Sequence, residues 1–75
     1  MVKVYTTNTC PWCDKAKGYL KSKGIEFEEL NVQDDMMARE EMIKKSKQLG
    51  VPVLDVNGTI IIGFDRPAID TALNI

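Results

Sequence analysis

Val2-Lys3-Val4-Tyr5-Thr6-Thr7-Asn8-Thr9-Cys10-Pro11-Trp12-Cys13 is the stretch on which the reading of this chain turns. β-Branched and aromatic residues alternate with Lys3 from Val2 to Tyr5, which suits a strand. Thr6 to Thr9 form a polar turn. Pro11 fits the first position of a helix, where its missing N–H costs nothing and its fixed φ is already helical. Cys10 then falls at the N-cap, facing unpaired backbone N–H groups. Cys13, Ala16 and Leu20 follow at i, i+3 and i+7, one buried stripe. Lys21 and Lys23 suit the last turn, and Gly24 is a good residue just past the end.

Working outward, Ile25 to Val32 alternates again, with Ile25, Phe27, Leu30 and Val32 against Glu26, Glu28 and Glu29, and reads as a second strand. Asp34 and Asp35 offer N-caps for a helix from Met36 to Leu49, closed by Gly50. Val51 to Val56, then Asn57-Gly58, then Thr59 to Ile62 is a strong hairpin signal with a type I′ turn. Pro67 starts a last helix that packs Ala68, Ile69, Ala72 and Leu73. The order β-α-β-α-β-β-α predicts an α/β fold in which a right-handed βαβ unit and an antiparallel hairpin make a four-stranded mixed sheet flanked by three helices.

The chain has 75 residues, 44% hydrophobic and 28% charged, with net charge −1. That is one domain, 1–75, near the lower limit for a self-sufficient core. The balance of charge gives no case for nucleic acid or an anionic membrane. No stretch approaches a membrane span and no apolar leader precedes the first strand, so a cytoplasmic protein is expected. Histidine is absent, which removes the commonest general base and nitrogen ligand.

Cys10 and Cys13 are the chain's two cysteines. A disulfide between them closes too short a loop to stabilise the fold appreciably. Half of a zinc site is a second reading, but zinc takes four ligands and no further Cys or His is present. Two incidental buried thiols are a third. Spacing, helix start and compartment favour dithiol–disulfide exchange. A thiol at a helix N-terminus is held below its ordinary pKa, so Cys10 is the expected nucleophile and buried Cys13 the resolving thiol. Pro11 stiffens the turn, and Trp12 covers the site with a large apolar plate. Val51-Pro52 taken alone reads as a trans proline opening the third strand. Gly63-Phe64-Asp65-Arg66-Pro67 reads as a turn in which Asp65 or Arg66 caps the last helix.

On those residues the chain resembles the glutaredoxin family over essentially its whole length. Tyr5 to Cys13 looks like the family's active-site run ending in Cys-Pro-Tyr-Cys, with Trp12 for tyrosine. Val51-Pro52 is similar to the family's Thr-Val-Pro, whose proline is cis. Gly63-Phe64-Asp65 resembles a Gly-Gly-x-Asp segment whose Asp holds the amino end of glutathione. The resemblance implies a thioredoxin fold, a cis Pro52 beside Cys10, and a thiol substrate pairing with the Val51 backbone like a short added strand. Trp12, Phe64 and Asp65 would form the rim, with Gly63 beside them.

Three departures bear on the reductant. Thr7 stands where many glutathione-using members carry a Lys, Ile62 replaces the first glycine of the pair, and Gly50 replaces the Thr before Val-Pro. Gly63 to Pro67 also looks similar to the Gly-Phe-Arg-Pro segment of NrdH-redoxins, which take electrons from thioredoxin reductase. The expected function is therefore a monomeric thiol–disulfide oxidoreductase with no metal and no tightly bound cofactor. It would act on protein disulfides and be reduced by glutathione or a flavoprotein disulfide reductase. An iron–sulfur carrier bridging two chains is a rival that Pro11 disfavours, and a redox-sensing docking module is another.

The remaining residues read as support. Met36, Met37 and Met42 are core filler and surface. Glu26, Glu28 and Glu29 form a solvated strand edge, and Lys44, Lys45 and Lys47 a solvated helix face. Helical geometry sends Lys15 and Lys17 away from the start of their helix.

Overall fold

A computed structural model of the chain describes residues 2–74; Met1 and Ile75, the ends of the expected domain, lie outside the described residues. The elements are β1 (Val2–Thr6), α1 (Pro11–Ser22), β2 (Phe27–Asn31), α2 (Met36–Ser46), β3 (Val53–Val56), β4 (Thr59–Ile62) and α3 (Arg66–Leu73). The sheet order is β2-β1-β3-β4. β1 runs parallel to β2 and antiparallel to β3, and β3 and β4 form the hairpin. Asn57 and Gly58 both have positive φ, 52° and 98°, as a type I′ turn demands.

Period-two alternation sorts the strands between two cores. Val2, Val4, Leu54, Val56 and Ile61 face Ala16 and Leu20 of α1 and Ile69 of α3. Tyr5 and Val53 face Ala38 and Met42 of α2. β3 is central and covered on both sides, so all four of its residues are buried.

Element ends differ from the sequence expectation for local reasons. Ile25 is not in β2: its N–H is bonded to the Leu20 carbonyl and that of Gly24 to Lys21, at 2.9 and 3.0 Å. This Schellman closure holds Ile25 against the core as the helix's hydrophobic stop. α2 ends at Ser46, not Leu49. Lys47 adopts a left-handed φ of 63°, while the Ser46 hydroxyl donates back to the Met42 carbonyl at 2.7 Å and competes with the helix ladder. Leu49 is left exposed. β3 starts at Val53, because Pro52 has no N–H for the ladder. Asp65 caps α3, accepting the Ala68 N–H at 3.2 Å.

The lysines of α2 are not all solvated. Lys45 reaches under the helix to Asp55 Oδ2 at 2.6 Å and Glu41 Oε1 at 2.8 Å. Buried Tyr5 donates its hydroxyl to the same Glu41 oxygen at 2.8 Å, and Lys3 approaches it at 3.3 Å. Asp55 also accepts the Gly58 N–H at 2.8 Å, which fastens the hairpin turn. Glu29, likewise, is bonded to Lys17 at 2.8 Å and to buried Thr6 at 3.0 Å rather than standing free at the edge.

The hydrogen bonds from Lys45 and Tyr5 lower the Glu41 pKa from 4.5 to about 2. A carboxylate held below its unfolded value contributes stability that is full above pH 4.5 and fades as pH falls toward 2. The thermal midpoint of the native chain is therefore expected to drop more steeply over that window than that of Glu41→Gln. Glu41 is partly solvated, so added salt should shrink the difference. Parallel acid profiles of the two proteins would show the assignment to be wrong.

Candidate functional site

The site is built where β1 ends and α1 begins. Cys10 is the N-cap of α1, with φ −142° and ψ 94°, and Pro11 opens the helix. The Cys10 carbonyl accepts the Asp14 N–H at 3.1 Å, while its sulfur accepts the Cys13 N–H, also at 3.1 Å. A sulfur in that position receives a backbone donor and the positive end of the helix dipole, both of which favour the thiolate. Cys10 is half-buried, whereas Cys13 is 1% exposed on the stripe with Ala16 and Leu20. The two are joined as a disulfide with Cα atoms 5.1 Å apart.

Trp12, Val51, Pro52, Gly63 and Phe64 line one shallow groove of about 310 Å³ beside this helix start. The Val51–Pro52 peptide is cis, and the buried Pro52 carbonyl accepts the Gly63 N–H at 2.8 Å. That bond continues the β3–β4 pairing past the strand ends. It holds the proline and the turn before α3 as one wall. Gly63 has φ 79°, a conformation that side chains rarely adopt. Trp12 is 57% exposed, and its ring lies 6.4 Å from that of Phe64.

Asp65 and Thr7 do not line this groove. Asp65 lines a separate groove between β4 and α3, with Ile62, Pro67 and Ala68 among its neighbours, and spends one oxygen on the helix cap. Thr7, half-buried, lies on the other side of the cysteines, where the β1–α1 and β2–α2 loops are laced together. There Asn31 donates to Asn8 at 2.6 Å, and the Asn8 N–H to Gln33 at 3.1 Å.

Lys15 departs from the sequence reading. Instead of leaving the helix start, its ammonium lies 4.5 Å from the centroid of the Trp12 ring. The i, i+3 spacing could have shown this, since those positions share a helix face. Lys17 does turn away, to Glu29 and Asp14. Met42 is fully buried, while Met36 and Met37 are exposed. Among the described residues no helix is long and apolar enough to cross a membrane.

The glutaredoxin family model matches residues 2–61. An uncharacterised glutaredoxin-like 8.6 kDa protein from the rubredoxin operon of Clostridium pasteurianum is 59% identical over 93% of each chain. Glutaredoxin 3 of Escherichia coli strain K12 is 44% identical over 85% of this chain and 77% of its own. Among solved structures, the thioredoxin-like protein BC3987 superposes with TM-score 0.90 at 26% identity, covering 96% of this chain and 99% of the other. The NrdH-redoxin of Escherichia coli, described as glutaredoxin-like with a thioredoxin-like activity profile, gives TM-score 0.83 at 26% identity over 93% and 91%.

Proposed function

This chain belongs to the glutaredoxin family of thiol–disulfide oxidoreductases, and we propose that it reduces protein disulfides or glutathione mixed disulfides with both of its cysteines. The observation that carries this is the Cys10 sulfur at the N-cap of α1, receiving the Cys13 N–H at 3.1 Å. The reduced protein starts the cycle. The Cys10 thiolate attacks one sulfur of the substrate disulfide, forming a mixed disulfide and releasing the other sulfur as a thiolate that takes a proton. Cys13 then gives up its proton and attacks Cys10 of that mixed disulfide. The substrate's second sulfur leaves, and the Cys10–Cys13 bond forms. Two electrons have passed to the substrate. Two must return from glutathione or a flavoprotein reductase, with no tightly bound cofactor needed in the chain.

The groove walls have matching roles. The buried cis Pro52 and the half-buried Val51 backbone form the floor along which an extended substrate segment pairs. Trp12 and Phe64 pack its side chains. Such a dithiol cycles in a reducing compartment such as the cytoplasm.

A second reading of the reductant is favoured by one observation. Thr7, Asn8 and Gln33 give that side of the site amides and a hydroxyl where a carboxylate ligand would want a cation. Reduction by a flavoprotein such as thioredoxin reductase needs no such cation. The two are separated by NADPH consumption with a standard disulfide. One assay couples the chain to glutathione and glutathione reductase, the other to thioredoxin reductase. Faster turnover with glutathione is expected if the Val51 backbone and the groove walls suffice to hold the tripeptide, and turnover confined to the flavoprotein assay would assign the second reading. Silence in both would overturn the exchange function.

A further inference from the structure

We propose that Trp12, Lys15, Tyr19, Lys23, Phe64 and Arg66 form a docking surface for a protein partner that carries carboxylates beside its disulfide. This rests on the exchange reading above and adds the chemistry of the partner.

The first four residues are spaced three, four and four apart, so they lie along one side of α1, starting at the groove. The last two come from the turn and first residue of α3. Phe64 joins the two sets, 6.4 Å from the Trp12 ring and 5.9 Å edge-on to Tyr19. Each cation stacks on a ring. Lys15 lies 4.5 Å from Trp12, Lys23 5.6 Å and Arg66 5.0 Å from Tyr19. The ion pairs among the described residues use Lys3, Lys17 and Lys45, not these three. Cations resting on aromatic faces keep their charge toward solvent and are held out of the long-side-chain disorder that weakens surface pairing.

Neighbouring carboxylates do not cancel the strip. Half-buried Asp70 accepts the Tyr19 hydroxyl and exposed Asp65 spends one oxygen on the Ala68 N–H, so the three cations outnumber the two neighbouring carboxylates. Across the cysteines the rim is of opposite character. Asn8, Asn31 and Gln33 are amides bonded to one another, followed by Asp34 and by Asp35, the N-cap of α2. Sheet order places the two sides apart, with β2 at one edge and β4 at the other. A chain of net charge −1 therefore presents a local positive, aromatic strip on one side of its nucleophile only. Exposed Trp12, flanked by half-buried Tyr19 and Phe64 and by Arg66, has the composition of an interface anchor, and one-sided charge orients a partner before contact.

Two peptides test this, each with the same disulfide, one flanked by Asp and Glu and the other by Lys. At low ionic strength the native chain is expected to favour the acidic peptide by about tenfold in kcat/KM. Salt at about 0.5 M should compress that ratio to within about twofold. Lys15→Glu, on the exposed side of α1, and the double variant Lys15→Glu/Arg66→Glu should lower or reverse the ratio. Lys44→Glu, on the outer face of α2, should not move it. A small uncharged disulfide reports that each variant is folded and active. Equal use of both peptides by the native chain overturns the proposal, as does a ratio that Lys15→Glu and the double variant leave intact. Loss of turnover with the uncharged disulfide in the native chain instead overturns the exchange reading beneath it.

Discussion

Cys10→Ser is expected to abolish disulfide turnover, by on the order of 10³-fold or more, because a serine hydroxyl cannot replace the thiolate that forms the first bond. Cys13→Ser should behave differently. Its Cys10 still sits at the N-cap, where the residue-13 N–H reaches the sulfur, so the first attack proceeds. Resolution then fails, because the only other thiol of the chain is gone. A mixed disulfide with a protein substrate should accumulate and be visible by intact mass, and only glutathione-linked turnover can remain. The asymmetry follows from burial: Cys10 is half-buried at the N-cap of α1, and Cys13 is 1% exposed on the buried stripe of that helix. Native-level turnover by Cys10→Ser would show that the nucleophile is misassigned.

Leu20→Ala carries the largest expected cost in stability. Leu20 is fully buried, and it packs with Val2, Val4, Leu54 and Ile69. Its carbonyl also accepts the Ile25 N–H that closes α1. Truncating a buried leucine costs about 2–5 kcal/mol through lost transfer energy and the cavity left behind. A chain of 75 residues has a total stability of roughly 4–11 kcal/mol at typical values per residue. One substitution can thus remove about half of it. Urea unfolding should show a lower midpoint at an unchanged slope. Leu49→Ala is the matched control, since Leu49 is 64% exposed and surface changes stay within about 0.5 kcal/mol. Equal midpoints for the two variants would mean that the packing of α1 on the sheet is not as described.

Much of the fold was legible because its signals are local. Alternation marked the strands, Pro11 and Gly24 bracketed α1, and Asn57-Gly58 marked the hairpin. Boundaries failed where a single hydrogen bond decided them, as at Ile25 and Ser46. The polar assembly of Lys45, Glu41, Asp55 and Tyr5 escaped the sequence reading because its members are drawn from three elements. The one available hint was a lone acid, Asp55, inside the otherwise apolar run Val53 to Val56. Lys15 was misread for a related reason. Backbone geometry directs its stem, but the Trp12 ring decides where its ammonium rests.

By itself the sequence determined the order of elements and the chemistry. Two cysteines at a helix start, with no histidine and no third thiol, point to exchange because spacing and ligand count are properties of the chain alone. Only the tertiary structure decided which residues meet across the sheet. It set Pro52 and Gly63 as one wall of the groove, removed Asp65 to a neighbouring one, and put cations and rings on one side of Cys10 with amides on the other. Those juxtapositions join residues as far as 51 positions apart, as in the Tyr19–Asp70 hydrogen bond. Pairing over such separations is fixed by sheet order and the docking of whole helices, which no local pattern encodes.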